Sequence, residues 1–298
     1  DTFNVAVGHD VGKAVTTGVQ NTIIGGLAGD ALTTGSFNAA LGYNSLSATT
    51  IGERNTAIGN FALNENVRTN SNVAIGQQAL QSFVGDGSTD NQNTYNTAVG
   101  SFAGKEITSG IQNIAIGGLS MDALTTGSSN VAIGYAAMTS ANGSEGRNTA
   151  IGHQALFAMD ADGNNYNTAV GYNSGSTITT GVQNTIMGGL AGDALTTGTG
   201  NVAVGYQALT TEDAHSYNVA IGWRALHTLN AGANGNNTAV GADAGLQMTT
   251  GIANTVIGAL AGDAITTGVS NVFVGTDAGG GLTTGESNVA VGKDALLA

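Results

Sequence analysis

The chain has 298 residues with 48 Gly, no Pro and no Cys, and 41% of it is hydrophobic while only 9% is charged. Gly without Pro or a three-residue period excludes collagen, and apolar residues recurring at fixed places exclude a disordered chain. Seven single Lys and Arg residues (Lys13, Arg54, Arg68, Lys105, Arg147, Arg224, Lys293) against 20 Asp and Glu give a net charge of −13. That balance excludes a phosphate-binding nucleic-acid surface and direct insertion or docking on an anionic membrane. No apolar run approaches the ~20 residues that span a bilayer. Without Cys there are no disulfides to indicate a redox compartment. The chain opens one short step before a repeat and stops partway through another, and is expected to be a piece of a longer polypeptide.

Taken in chain order, a five-residue phrase, Asn-x-x-aliphatic-Gly with Ala in the middle at thirteen of the seventeen places, opens at Asn4, Asn21, Asn38, Asn55, Asn72, Asn96, Asn113, Asn130, Asn148, Asn167, Asn184, Asn201, Asn218, Asn237, Asn254, Asn271 and Asn288. Twelve of the sixteen intervals are 17 residues, and the others are 24, 18, 19 and 19. Gly stands four residues after every Asn, preceded by Val, Ile, Leu or Met. Seven residues after the Asn comes Ala or Ser, except Val11, followed by Gly, Leu or Met. Many repeats close on aliphatic-Thr-Thr-Gly, as at Leu32 to Gly35 and Ile265 to Gly268. The stretch 21–35 returns nearly unchanged at 184–198 and 254–268, so blocks of four repeats duplicated together.

Seventeen residues are too few for a helix pair, and the phrase reads as a short strand with alternating faces. The expected fold is all-β: one parallel β-solenoid (β-roll) domain over 1–298, of about seventeen coils, stacked ~4.8 Å apart into a rod roughly 80 Å long. The β-branched residues around the central Ala are expected to fill a thin core. The Ala is expected to face outward, leaving room for a neighbouring chain, and a second strand is expected over the Ala-Leu and Thr-Thr segment. Three chains about one axis would cover the Ala face, giving a homotrimer. The repeated Asn (Asn21, Asn38, Asn55, Asn72, Asn113, Asn184, Asn254 among them) is expected to form a side-chain amide ladder. The enlarged repeats place polar, Gly-rich loops near 81–95, 139–147, 157–166 and 227–236.

At Asn55-Thr-Ala-Ile-Gly59, Asn72-Val-Ala-Ile-Gly76 and Asn130-Val-Ala-Ile-Gly134 the chain resembles the head repeats of trimeric autotransporter adhesins. The longer phrase ending in Thr-Thr-Gly-x-x-Asn is closer still to repeats of bacteriophage tail-fibre and related surface-fibre proteins. The resemblance covers the whole chain and implies a left-handed trimeric β-roll. It further implies a structural fibre on a virion surface contacting a host glycan or protein receptor, or alternatively an adhesin head on a bacterial surface. The adhesin repeat is usually shorter than 17 residues, and neither the adhesin's stalk and membrane anchor nor the fibre family's chaperone end is visible here.

No catalytic arrangement stands out. His9, His153, His215 and His227 fall in different coils without metal-ligand spacing and are expected on exposed turns. The phrase 25–29 (Gly-Gly-Leu-Ala-Gly) lacks the Lys of a phosphate loop and reads as a tight turn. Asp30, Asp122, Asp193 and Asp263 are repeat equivalents, which suits a structural role better than an acid–base pair. No cofactor is expected, with calcium the one ligand considered: Asp160, Asp162 and Asn164 surround a turn Gly as in a calcium loop, but no bidentate Glu follows. The stretch 86–91 is a weaker version. Such clusters are also ordinary turn formers. Tyr43, Tyr135, Tyr172, Tyr206 and Trp223 follow the strand Gly in their repeats; a column of rings suits either a glycan surface or covers over turns. Thr-Thr columns suggest, more remotely, an ice-binding array.

Overall fold

The computed structural model describes residues 2–87, 90–232 and 234–297. Seventeen three-residue strands are present, and no helix occurs among the described residues. One compact unit is Asp1–Asn148 with Asp162–Asn164, and the other is Thr149–Ala161 with Asn165–Ala298. The first holds β1 (Val5–Val7), β2 (Thr22–Ile24), β3 (Ala39–Leu41), β4 (Thr56–Ile58), β5 (Val73–Ile75), β6 (Thr97–Val99), β7 (Ile114–Ile116) and β8 (Val131–Ile133). The second holds β9 (Thr149–Ile151), β10 (Thr168–Val170), β11 (Thr185–Met187), β12 (Val202–Val204), β13 (Val219–Ile221), β14 (Thr238–Val240), β15 (Thr255–Ile257), β16 (Val272–Val274) and β17 (Val289–Val291).

Within each unit every strand pairs in parallel with its sequence neighbours, and the register carries each position onto its copy one repeat later. Ala57 faces Ala40 and Ala74, and Ala220 faces Ala203 and Ala239. A period-2 strand repeated in register turns each position into a column. The chain is therefore an all-β parallel β-solenoid of about seventeen coils.

The columns face opposite to the expectation. Counting from the Asn, the +2 residue points inward: Ala57, Ala98, Ala150 and Ala220 are 0% exposed. The aliphatics at +1 and +3 point outward, with Leu41 48% and Met187 43% exposed. The physical reason is room. A 17-residue coil leaves space inside for one small residue from the strand, because the opposite wall already contributes large ones. That wall consists of the +7 Ala or Ser, the +8 Leu or Met and the +11 aliphatic, such as Ala62, Leu63, Leu124 and Ile178, all 0% exposed.

Large residues at +2 and +8 exclude one another, although Ala6, Ala98, Ala169 and Ala239 meet Gly at +8 and leave both positions small. Where +8 is Leu or Met, +2 is Ala, as in Ala57 with Leu63 and Ala115 with Met121. Where +2 is larger, +8 is Gly: Ile23 with Gly29, Ile186 with Gly192, Val256 with Gly262 and Phe273 with Gly279. A Cβ on Gly29 would lie 3.2 Å from Ile23 Cδ1, and one on Gly279 would lie 2.6 Å from Phe273 Cδ2. Close packing forces this complementarity.

The expected second strand is absent. Residues +6 and +8 adopt left-handed φ in successive coils, including Asn44 (53°), Leu46 (54°), Phe61 (58°) and Leu63 (49°), which breaks any extended run. The wall is a chain of turns stitched vertically, with Leu46 N–H donating to Ala62 O at 3.0 Å and Thr33 N–H to Thr50 O at 2.9 Å. The strand itself ends at the +4 Gly. Gly42 has φ +141°, and a Cβ there would meet Gly59 O at 2.5 Å, so neither conformation nor space admits another residue.

Candidate functional site

Within each unit the Asn column closes most coils and links successive ones. Asn38 Oδ1 accepts from Asn55 N–H at 3.0 Å, while Asn38 Nδ2 donates to Asn21 Oδ1 at 3.2 Å and to Gly52 O, fourteen residues on, at 2.9 Å. The same pattern holds at Asn113 (Nδ2 to Gly127 O 2.8 Å; Oδ1 from Asn130 N–H 3.0 Å), Asn184 (Nδ2 to Gly198 O 2.9 Å) and Asn254 (Nδ2 to Gly268 O 2.8 Å). Asn21, Asn55 and Asn72 belong to the same run. Asn alone offers an acceptor and a donor at this reach, and both are used in a buried position.

Outside this frame lies the strand face. In the first unit its exposed members include Val5, Val7, Leu41, Ile58, Ile114 and Ile116; in the second, Met187, Ile221, Ile257, Val272, Val289 and Val291. These side chains share the outward side of the strands within each unit. Rings border the strands at two positions. Tyr43, Tyr135, Tyr172, Tyr206 and Trp223 at +5 are 46–57% exposed. Tyr43 lies over Gly26 of the preceding coil (3.5 Å from a Cβ placed there) and meets Phe61 edge-on at 5.6 Å. Tyr172 stacks on His153 at 5.3 Å. Arg224 sits 3.8 Å above the Trp223 ring and is held there by Asp243 at 2.8 Å. The sequence reading missed a second ring column just before the Asn, comprising Phe3, Phe37, Tyr95, Tyr166 and Tyr217, all exposed. Its signal was recurrence at position −1, diluted by the Gln, Arg and Ser of other coils.

The remaining candidates separate. Thr hydroxyls in the +12 column donate to backbone of the next coil, Thr33 Oγ1 to Thr50 O at 2.9 Å and Thr266 Oγ1 to Thr283 O at 3.0 Å, so they do not form a free hydroxyl array. Of the calcium candidates, Asp162 Oδ1 accepts from Ser144 N–H (3.1 Å) and Oγ–H (3.0 Å). In the weaker stretch, Ser88 and Thr89 lie outside the described residues; nearby, Val67, Arg68, Thr69, Val84, Gly85, Asp86, Gly87 and Gln92 line a cleft of about 310 Å³. Burial raises the Asp122 and Asp193 carboxyl pKa values, and each has one buried oxygen without a hydrogen-bond partner. Asp263 is raised by burial first and by Asp277 second.

One polar cluster was not anticipated. His9 and His153 are exposed, but His215 is tucked against Glu212 and Asp213, the one group of three acidic or His residues among those described whose ligand atoms all lie within 4.8 Å. Glu212 Oε1 lies 2.6 Å from His215 Nδ1 and accepts from His215 N–H at 3.1 Å, while Asp213 Oδ1 lies 3.8 Å from Nδ1. No family model, curated protein or solved structure matches the chain.

Proposed function

We propose that this chain is a structural, host-contacting fibre segment: a left-handed homotrimeric β-roll that serves as a rigid spacer and adhesive surface on a phage tail or virion fibre. The observation that supports it most is the outward aliphatic face of the strands within each unit, β1–β8 in one and β9–β17 in the other, which a lone chain leaves to water. A face repeated coil after coil is self-complementary, so copies of the same chain are its natural cover, and closed symmetry limits their number. The occupants are therefore other copies of this chain, with the aliphatics rather than the alanines at the contact. In that arrangement the exposed rings of the +5 and −1 columns are left for a host cell-surface glycan or protein receptor. No catalytic step or cofactor enters this reading. The head of a bacterial trimeric adhesin is the second reading, favoured by the Asn72-Val-Ala-Ile-Gly76 type of phrase.

Sedimentation equilibrium of the purified chain tests the assembly. A mass of three chains is expected, falling to one chain when Ile58→Glu and Ile116→Glu are combined. A stable, soluble wild-type monomer at micromolar concentration would overturn it.

A further inference from the structure

We infer that Glu212, Asp213 and His215 form a binding site for one divalent transition-metal ion of the zinc class. The starting point is the column in which Glu212 stands. At +11 the coils before and after carry Leu195 and Leu229, both fully buried, and most others carry Val, Ile, Met or Phe. Glu212 puts a carboxylate into this apolar column at 0% exposure, and its Oε2 has no hydrogen-bond partner. Asn66 is the comparison, a second polar side chain in the same column. Its Oδ1 accepts from Thr69 N–H (3.0 Å) and Oγ1–H (2.7 Å), and its Nδ2 donates to Thr69 O (3.2 Å). Asn66 is fully used as a local cap. Glu212 performs the same capping with Oε1 alone and leaves its second oxygen bare, so capping does not account for the carboxylate.

His215 is equally out of place, since +14 is Gly in most coils, including Gly181, Gly198 and Gly251. Its Nδ1 faces both carboxylates, at 2.6 Å from Glu212 and 3.8 Å from Asp213. Zinc bound at ~2.0–2.1 Å in tetrahedral geometry sets its ligand atoms about 3.3 Å apart. The two separations from Nδ1 straddle that value and all three ligand atoms lie within 4.8 Å of one another, so movements of up to about 1.5 Å bring them to that spacing. Two carboxylates and an imidazole suit zinc and its neighbours, whereas calcium takes six to eight oxygen ligands. Asp213 is 52% exposed, which leaves the fourth position open to water.

The backbone carrying the ligands is fixed from outside the cluster. Asp213 O accepts from Thr196 and, at 3.2 Å, from Thr197 N–H of the preceding coil. His215 O accepts from the ladder amide of Asn201 at 2.9 Å. A rigid ligand loop lowers the ordering cost of binding.

Titration of zinc chloride into the full chain, followed by calorimetry, tests the site, with cobalt(II) as a visible probe. Expected are one zinc per chain, tetrahedral cobalt absorption bands, and loss of both in Glu212→Leu and in His215→Gly. Each substitution installs the residue that neighbouring coils already carry, so both variants keep the fold, as circular dichroism will register. Absence of zinc binding, or binding unchanged in both variants, would overturn the site. Calcium uptake abolished by Glu212→Leu, in place of zinc, would overturn the metal class.

Discussion

Ile23 and Gly29 offer a direct measurement of how the core is specified. Ile23 is 1% exposed, and its Cδ1 reaches the space beside Gly29 and, at 3.4 Å from a Cβ placed there, that beside Gly12 of the coil before. Ile23→Ala removes those carbons and should cost about 3 kcal/mol, within the ~2–5 kcal/mol span for such truncations. Gly29→Leu alone drives a side chain into Ile23, whose Cδ1 and Cγ2 would stand 3.2 and 3.3 Å from the new Cβ. Overpacking of this kind costs ~1–3 kcal/mol, and a non-Gly residue at φ 51° adds ~1 kcal/mol. Independent effects would sum to about 5–7 kcal/mol. The double variant, however, recreates the pairing that Ala57 and Leu63 already form, with Leu63 at φ 49°. It should cost only ~2–3 kcal/mol, the remainder reflecting the gap left beside Gly12, so the coupling is about 3 kcal/mol. Urea unfolding followed by circular dichroism gives the totals. Amide exchange at Thr22–Ile24 shows whether the loss is local, as nearest-neighbour stacking requires. A double variant within about 0.5 kcal/mol of the summed singles would refute the argument that +2 and +8 share one volume.

Three further outcomes follow from the same geometry. Asn113→Ala leaves Gly127 O and Asn130 N–H buried without their side-chain partner and should destabilise by ~2–5 kcal/mol in urea unfolding; Asn113→Asp keeps the acceptor but loses the donor, and should also destabilise. Asp122 and Asp193 have pKa values raised by burial, so the native state holds protons that the unfolded chain, titrating near ~3.9, has released. Their cost to stability is therefore present at neutral pH and relieved as pH falls through the raised values. The Asp122→Asn/Asp193→Asn variant should melt above wild type at pH 7, and the gap should close towards pH ~4. Trp223→Ala should leave stability within ~0.5 kcal/mol of wild type, since the ring is 46% exposed; on the proposed adhesive reading it should also reduce binding to glycan-bearing cells in a sedimentation assay, and unchanged binding would remove this column from the proposed contact.

Repetition was legible because stacking in register demands the same residue type at the same place, and Asn and Gly each meet a demand no other residue meets. The Asn must donate to a carbonyl fourteen residues on and accept from the next coil. The +4 Gly must lie against the carbonyl of its own copy at a φ closed to side chains. The facing of the strand was read the wrong way because a period of two has no sign: Thr-Ala-Ile fits a coil with Ala inside as well as one with Ile inside. Hydrophobicity favours the second choice, and volume decides for the first. Information about volume was nonetheless in the sequence, in the exclusion between positions +2 and +8. Ile23, Ile186, Val256 and Phe273 each meet Gly six residues later, while Ala57, Ala74, Ala115 and Ala220 each meet Leu or Met. Residues that trade size across coils share a cavity, and a strand position that trades with the opposite wall must point inward. The same column-by-column comparison singles out Glu212, because position +11 otherwise holds residues that either pack or cap, and its second carboxylate oxygen does neither. In a repeat protein the shared pattern specifies the architecture, and departures from it within a buried column are where a chemical role has to be sought.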